Sequence, residues 1–180
     1  EKLENFDAVV VGIRAYNTSD RAKFYQKYLH NYVEKGGTLI AQYNTNRGLK
    51  VDAVAPYPLK LSRDRVTDEN SEVQIINPNH ELLNYPNKIS ESDFNGWVQE
   101  RGLYFPDEWD SNFESVISMN DKNESPKTGS LLIANYGKGK FIYTGLSFFR
   151  ELPAGVPGAY KLFANMLSIG KNNMDKPLKN

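Results

Sequence analysis

The stretch DAVVVGI at residues 7–13 is a continuous apolar run rich in β-branched side chains. Such a run is typical of a strand buried on both faces of a parallel sheet. Apolar side chains then recur at helical spacing from Ala22 to Val33, after an N-cap at Thr18 or Ser19. A second apolar run, TLIAQY at residues 38–43, follows the helix directly. Strand, helix and strand within about 40 residues predict a βαβ unit with a right-handed crossover.

The second half of the chain predicts an antiparallel hairpin and a closing helix. Two strand patterns, at residues 130–136 and 140–145, flank a glycine-bearing turn, and we place this hairpin at the edge of the sheet. Apolar side chains on one face predict a last helix from Pro157 to Ser168. Five prolines interrupt the pattern within residues 44–106, so we predict an elaborated loop region there, with a short strand at residues 73–76.

These elements predict one α/β domain over residues 1–170, with a mostly parallel sheet flanked by helices. Residues 171–180 are polar and predict a frayed tail. The chain opens at Glu1 without an initiator Met or a signal-like segment, and we interpret it as a piece of something longer.

The 180-residue chain carries 22 basic and 22 acidic side chains, so its formal net charge is zero. A nucleic-acid-binding surface needs an excess of positive charge, and we therefore predict no nucleic-acid partner. No apolar run approaches the roughly 20 residues of a spanning helix, so we predict no membrane span. The chain has no cysteine, which excludes a thiol nucleophile, a disulfide and an iron–sulfur cluster.

The sequence has neither of the common nucleotide-binding glycine patterns. The GKGK sequence at residues 137–140 lacks the Ser or Thr that follows the lysine of a phosphate loop. The VGIR sequence at residues 11–14 does not extend into the glycine pattern of a dinucleotide site. The two histidines, His30 and His80, are 50 positions apart and cannot form a paired-histidine motif on one helix. We predict no cofactor and no metal ion.

Polar side chains follow the two strands of the βαβ unit, at the edge where a parallel-sheet domain places its ligands. Arg14, Tyr16 and Asn17 follow the first strand, and Asn44 and Arg47 follow the second. Because the loops after neighbouring parallel strands share one edge, these side chains are candidate ligand contacts in one crevice. The alternative is that they only cap the next helix and satisfy backbone groups of the loops.

Aromatic and charged side chains interleave in a third candidate region, residues 97–110. Trp97, Glu100 and Arg101 are the candidate ligand contacts there. An aromatic face stacks on the C–H groups of a sugar ring, and neighbouring acids bind its hydroxyl groups. The alternative is that the aromatic side chains pack in the core while the acids face water.

A second hypothesis is catalytic. Its carboxylates are Glu100 and Asp107 of this region together with Glu151, and His80 assists them. Acid and base chemistry on a glycosidic bond needs two carboxyl groups about 5–9 Å apart. This set would make the protein a cysteine-independent sugar hydrolase or lyase. For His80, the alternative is a role in opening a turn and a short helix.

The alternating charges of residues 61–66 fit either an ion-paired surface strand or an anion clamp.

Several of these segments together resemble the class I glutamine amidotransferase-like fold, in particular its trehalose-utilisation-like branch. They are residues 7–17, GGTLI at 36–40, HELL at 80–83, GKG at 137–139 and the closing helix. Longer segments look like the C-terminal region of Bacteroidetes deacetylase-like proteins of the PIG-L (LmbE-like) family: GIRAYN at 12–17, PLKLSRDRVT at 58–67, GWVQERGLYFP at 96–106 and TGLSFFRELPAG at 144–155. The resemblance implies a flavodoxin-like sheet.

The sequence departs from both families at the residues that carry their chemistry. An amidotransferase places a cysteine nucleophile directly after the strand matched by residues 38–43, where this chain reads NTN. The zinc motif of a PIG-L deacetylase, of the Ala-His-Pro-Asp-Asp type, is also absent from the chain. The resemblance therefore implies a non-catalytic domain that binds carbohydrate or docks on the N-terminal deacetylase domain of the same parent protein.

The resemblance carries two further expectations. Proteins of this type are often exported, which implies a periplasmic or extracellular location. The amidotransferase-like fold also begins with a strand and a helix before the segment matched by Asp7, so this chain is expected to start one βα unit late. A purely structural interaction module with a vestigial crevice is the remaining hypothesis.

Overall fold

The computed structural model describes residues 2–170, which form strands, α-helices and short 3-10 turns. The strands are β1 (Ala8–Val11), β2 (Thr38–Gln42), β3 (Leu59–Val66), β4 (Val73–Ile75), β5 (Gly102–Trp109), β6 (Phe113–Ser115), β7 (Ile117–Met119), β8 (Leu131–Tyr136) and β9 (Gly139–Thr144). The α-helices are α1 (Ala15–Thr18), α2 (Ala22–Glu34), α3 (Phe148–Glu151) and α4 (Pro157–Ser168), and the 3-10 turns span Leu3–Asn5, Glu81–Leu83 and Glu91–Phe94. Within residues 2–170, no helix is long and apolar enough to cross a membrane. The polar tail predicted at residues 171–180 lies outside the described residues.

The main sheet has the strand order β1-β2-β9-β8-β6. Strands β1, β2 and β9 are parallel to one another, whereas β8 is antiparallel to both of its neighbours. The predicted α/β class with a mostly parallel sheet core is therefore confirmed, and the narrower flavodoxin-like topology stays a prediction. The β8–β9 hairpin is also confirmed, but its predicted position at the sheet edge is wrong. β9 pairs with β2 on its other side, and β6 covers the outer side of β8.

Strand β1 is the edge of the sheet, which corrects the prediction that it is buried on both faces. Within residues 2–170 it pairs with β2 alone. The side chain of Val10 is 38% exposed, and the other residues of the strand are half-buried. A continuous apolar run is thus not sufficient evidence for a central strand, because an edge strand next to a covering helix can carry the same composition.

The helix after β1 also begins later than its sequence predicts. Residues Ala15–Thr18 form the separate short helix α1, and α2 begins at Ala22 without a side-chain cap. Two long-range hydrogen bonds hold α1 in place: the Tyr16 N–H donates to Asn44 Oδ1 at 3.0 Å, and the Lys50 N–H donates to the Tyr16 carbonyl at 2.7 Å. α1 therefore lies before the predicted helix, and the N-cap of α2, Arg21, comes two or three positions after the predicted N-cap at Ser19 or Thr18.

Residues 44–106, predicted as an elaborated loop region, contribute β3, β4 and the start of β5 to two small antiparallel ribbons. Strand β3 pairs with β5, and β4 pairs with β7, which confirms the short strand predicted at residues 73–76. Within β3, Leu61 and Val66 are buried while Arg63 and Arg65 face solvent. The guanidinium of Arg65 pairs with Glu124 at 3.1 Å. These positions support the ion-paired surface strand over the anion clamp.

The apolar core lies on both faces of the main sheet. Side chains of β2 alternate between the faces, so Ile40 joins one cluster and Leu39 the other. The first cluster contains Leu162 and Met166 of α4, and the second contains Val33 of α2. α2 and α4 therefore cover opposite faces, which makes three layers and leaves the strand ends open to loops.

Gly158, in the first turn of α4, lies directly against the backbone of the 3-10 turn at Glu91–Phe94. A Cβ atom at this position would lie 1.7 Å from the Asp93 carbonyl oxygen. We expect Gly158→Ala to lower the free energy of unfolding by about 1–3 kcal/mol, measured by urea denaturation, because the helix must shift to relieve the overlap. Gly12→Ala is the matched control, since a Cβ atom there meets nothing within 4 Å. Equal stability of the two variants would contradict this packing.

Candidate functional site

The carboxyl ends of β1, β2 and β9 meet at one edge of the main sheet. The register places Val11 beside Ala41 and Gln42 beside Thr144. The loops that follow these strands therefore begin side by side, which is where ligands bind in open parallel sheets.

The start of β5 crosses over this edge. The Leu103 N–H donates to the Gly145 carbonyl at 2.9 Å, and the Ser147 N–H donates to the Arg101 carbonyl at 3.1 Å. The approach is close, since a Cβ atom at Gly102 would lie 2.3 Å from the Gly145 oxygen. The crossing brings side chains of residues 100–104 to the strand ends.

Five side chains assemble around Tyr43, the residue that follows β2, and together with it they make a group of six. We call them the strand-edge cluster: Arg14, Tyr43, Glu100, Tyr104, Phe149 and Arg150. The ring of Tyr43 stacks on Tyr104 with centroids 5.8 Å apart and planes 13° apart, and it contacts Phe149 at 5.4 Å. Tyr43 is 8% exposed, whereas Tyr104 and Phe149 are only half-buried. The exposed parts of these two rings form an aromatic surface.

Charged groups surround this aromatic surface. Arg150 Nε lies 2.6 Å from Glu100 Oε1, and the Arg150 guanidinium lies 5.0 Å from the centre of the Phe149 ring. Burial raises the pKa of the Tyr43 hydroxyl, and the positive charges of Arg14 and Arg150 partly oppose this shift. The Tyr43 hydroxyl therefore stays protonated near neutral pH and is a neutral hydrogen-bonding group among ionic ones.

Three residues near this edge adopt left-handed backbone conformations although none is glycine. Arg14 has φ 54°, Gln99 has φ 68° and Tyr104 has φ 55°. Each such conformation costs roughly 1–2 kcal/mol for a residue with a side chain. Strain of this kind collects at functional sites, where the surrounding structure holds it in place. Two of the three residues, Arg14 and Tyr104, belong to the strand-edge cluster.

The loops after β1 and β2 meet, as their sequence predicts, but their asparagines bind backbone. Asn44 is fully buried, and its side chain accepts from the Tyr16 N–H and donates to the Gln42 carbonyl at 2.9 Å. The Asn17 amide donates to the carbonyls of Thr45 and Arg47, each at 3.0 Å. These side chains hold the two loops together, which is the role that the alternative interpretation gives them.

Two buried tyrosines lie in the core beneath these loops. The hydroxyl of Tyr16 has no hydrogen-bond partner among residues 2–170, and burial raises the pKa of Tyr16 to about 12. The hydroxyl of Tyr143 is also buried, but it lies 3.2 Å from the Tyr104 carbonyl, to which it donates, and it accepts from the Asn44 N–H at 3.3 Å. Tyr143 therefore links the buried sheet to the strand-edge cluster, and Tyr16 does not.

Trp97 and Arg101 have packing roles in place of the predicted ligand contacts. Trp97 is 3% exposed, and its ring lies against Phe94 and Phe148 with centroids 5.3 and 5.9 Å away. The guanidinium of Arg101 is buried and donates to the carbonyls of Ser71 and Phe94. Both side chains support the segment that carries Glu100 from beneath, where a surface ligand does not reach them.

The four side chains of the catalytic hypothesis are not brought together. Glu151 is fully buried next to Glu100, and its carboxylate accepts from the Val98 N–H at 2.9 Å. Asp107 is exposed in β5. His80 lies near Lys140, at the opposite end of β9, and its Nδ1 accepts from the Leu82 N–H at 3.1 Å. This contact confirms the turn-opening role of His80. Within residues 2–170, no three His, Asp or Glu side chains are arranged to hold a metal ion.

Tyr43 and Tyr104 were missed in the sequence because their segments have the patterns of a strand and of core aromatic residues. Tyr43 ends an apolar run, and Tyr104 lies in the aromatic stretch at residues 97–110. The available signal was position, since Tyr43 is the first residue after a strand whose carboxyl end lies at the ligand-binding edge. Of the predicted contacts, Arg14 and Glu100 belong to the cluster, and Arg47 is exposed in the neighbouring loop.

The fold is shared with several solved structures. A cytoplasmic protein of Salmonella typhimurium matches 92% of this chain and 72% of its own chain, with 15% sequence identity and a TM-score of 0.55. A β-galactosidase of Rahnella sp. R3 matches 94% of this chain and 23% of its own, with 12% identity and a TM-score of 0.55. A β-galactosidase of Bacillus circulans sp. alkalophilus matches 92% and 23%, with 13% identity and a TM-score of 0.56. No protein-family model and no curated protein sequence matches the chain.

At these identities the likeness shows the α/β fold alone. The same fold forms less than a quarter of each β-galactosidase chain and most of the Salmonella protein. It therefore occurs both as part of a large enzyme and as the main part of a smaller protein. The chemistry of this chain must be argued from its own side chains.

The two buried tyrosines form a matched pair for measuring what their hydroxyl groups contribute. We expect Tyr143→Phe to lower the free energy of unfolding by about 1–3 kcal/mol, because the Asn44 N–H loses its acceptor. Tyr16→Phe removes a buried hydroxyl without a protein partner, so we expect unchanged or slightly higher stability. Urea denaturation checks both. A large loss in Tyr16→Phe would show that its hydroxyl is bonded after all.

The buried Glu151 carboxyl makes stability depend on pH in a defined direction. Burial raises the pKa of Glu151 above its ordinary 4.5, and the hydrogen bond from Val98 opposes the shift. The folded state therefore holds the Glu151 proton to higher pH than the unfolded state does, and stability from this group falls as pH rises through that interval. We expect Glu151→Gln to gain stability relative to wild type as pH rises above about 4.5. Parallel pH profiles from urea denaturation of the two proteins would contradict the shift.

Proposed function

We propose that this chain is a non-catalytic carbohydrate-binding domain and that sugar binds at the strand-edge cluster. One observation carries the proposal: the half-buried rings of Tyr104 and Phe149, backed by Tyr43, lie beside Glu100 and Arg150 at the carboxyl ends of parallel strands. Aromatic faces next to hydrogen-bonding groups are the combination that a sugar ring requires.

Each part of the cluster has a defined role in this proposal. The apolar face of the sugar ring packs on the exposed faces of Tyr104 and Phe149. Its hydroxyl groups donate to the Glu100 carboxylate and accept from the guanidinium of Arg150. The cluster contains no activated nucleophile, and Glu151, the nearest second carboxyl, is buried beneath it. Binding is therefore better supported than hydrolysis or elimination.

We propose further that this chain is an accessory domain of a larger parent protein, a sugar-modifying enzyme of the PIG-L deacetylase type. This part of the proposal rests on the sequence resemblance of residues 12–17, 58–67, 96–106 and 144–155. The occurrence of the same fold within two β-galactosidase chains is compatible with a carbohydrate-related role. It carries no argument about which sugar this chain binds.

Docking on the N-terminal deacetylase domain of that parent protein is the second candidate function. A single observation favours it: Phe24, Tyr25 and Tyr28 on α2 are 61%, 53% and 55% exposed. Contiguous exposed aromatic side chains of this kind are uncommon unless they bind a partner. Lys23 and Lys27 lie about 5 Å from the Phe24 and Tyr28 ring centres, so the surface is also cationic.

Sugar binding is tested by isothermal titration calorimetry of the whole chain with a panel of neutral and acidic oligosaccharides. We expect Tyr104→Ala to weaken the binding of any sugar that wild type binds by about tenfold, because the stacking face is lost. Tyr25→Ala is the control, since it removes a tyrosine ring that is exposed on α2, outside the strand-edge cluster. Absence of binding to every sugar would overturn the proposal. Weaker binding in Tyr25→Ala alone would move the sugar site to α2.

A further inference from the structure

An arginine follows each of the three parallel strands at the candidate site. Arg14 follows β1, Arg47 follows β2 and Arg150 follows β9. The Arg14 N–H donates to the Tyr43 carbonyl, the Tyr43 and Phe149 ring centroids are 5.4 Å apart, and the Arg150 guanidinium lies 5.0 Å from the centre of the Phe149 ring. These contacts place Arg14 and Arg150 at the strand-edge cluster, although the chain as a whole is neutral.

The backbone of Arg14 is held by hydrogen bonds, whereas its guanidinium is free within the described part of the chain. The backbone N–H of Arg14 donates to the Tyr43 carbonyl at 2.8 Å, and the Arg14 carbonyl accepts from the N–H groups of Asn17 and Thr18 at 2.8 and 3.0 Å. The backbone is left-handed at this residue, with φ 54°. The side chain is exposed and makes no ion pair or hydrogen bond within residues 2–170. An exposed guanidinium without a counter-ion has free donors for an anion.

Arg150 also has donors that residues 2–170 do not use. Its Nε is used by Glu100, and the guanidinium lies over the Phe149 ring. These two contacts fix the guanidinium plane, while its Nη groups make no hydrogen bond within residues 2–170. A planar guanidinium with free Nη donors matches the two oxygens of a carboxylate.

We propose that the sugar bound at the strand-edge cluster is a uronic acid, whose carboxylate is held by Arg14 and Arg150 while its ring packs on Tyr104 and Phe149. This inference rests on the proposed carbohydrate-binding function and names its ligand class. Arg47, exposed in the adjacent loop, adds long-range attraction for an acidic chain. Glu100 is neutralised by Arg150 and still accepts a sugar hydroxyl, so its charge does not prevent binding of an acidic sugar.

The test compares two ligands that differ in one group: a β-1,4-linked glucose tetramer and its C6-oxidised glucuronate counterpart. Isothermal titration calorimetry uses the whole chain at low salt and at about 0.5 M NaCl. We expect the glucuronate tetramer to bind at least about tenfold more tightly at low salt. The advantage should shrink at high salt, where ionic attraction is screened. Arg14→Gln should remove most of the advantage that the glucuronate tetramer has over the neutral tetramer.

Lys138→Gln is the matched control for charge. It removes one exposed positive charge from the β8–β9 turn, at the opposite end of the sheet from Arg14.

Equal binding of the two tetramers would overturn the uronic acid inference and leave the carbohydrate proposal standing. Binding of neither tetramer, nor of any other sugar in the panel, would overturn both. An equal loss in Lys138→Gln and Arg14→Gln would show non-specific attraction and overturn the assigned contact.

Discussion

Gly102 and Gly145 let two backbone segments touch where β9 ends, and the geometry of the candidate site depends on this contact. A Cβ atom at Gly102 would lie 2.3 Å from the Gly145 oxygen, and one at Gly145 would lie 2.5 Å from the Phe105 ring. Because neither residue has a side chain, the start of β5 crosses directly over the strand ends. The crossing carries Tyr104 onto the ring of Tyr43. A bulkier residue at either position would separate the two rings.

Buried polar side chains hold the loops around that crossing. Asn44 accepts a hydrogen bond from α1, and Arg101 donates to the carbonyls of Ser71 and Phe94. The Glu151 carboxylate accepts from the Val98 N–H. A buried polar group is costly unless it is paired, so these contacts specify one arrangement of the loops. The rings and cations of the strand-edge cluster therefore lie on loops that buried hydrogen bonds hold in one arrangement, as a binding site requires.

The edge of the sheet combines accessible aromatic faces with positively charged groups, whereas the carboxylates that hydrolysis would need are buried or far apart. Glu100 is paired with Arg150, and Glu151 lies beneath the surface. Asp107 and His80 lie on other parts of the molecule. This distribution of charge and exposure favours recognition of a sugar over chemistry on it. The aromatic surface of α2 is separate and supports a partner contact instead.

The sequence by itself determined the elements whose signals are local. The closing helix has the predicted bounds, Pro157–Ser168, and the β8–β9 hairpin and the strand pattern at residues 38–43 are where their periodicity places them. The convergence of the loops after β1 and β2 was also predictable, because parallel neighbours end at the same edge. Periodicity and turn residues act over a few positions, so they can be read without knowing the fold.

Only the tertiary structure decided which strands lie at the edge and which polar side chains face solvent. Within residues 2–170, the apolar run of β1 is an edge strand because it pairs with β2 alone, and Trp97 is in the core because Phe94 and Phe148 pack against it. The stacking of Tyr104 on Tyr43 joins residues 61 positions apart in sequence. Such contacts depend on how distant parts of the chain cross and on which side chains become buried. A local pattern of residue types determines neither of these.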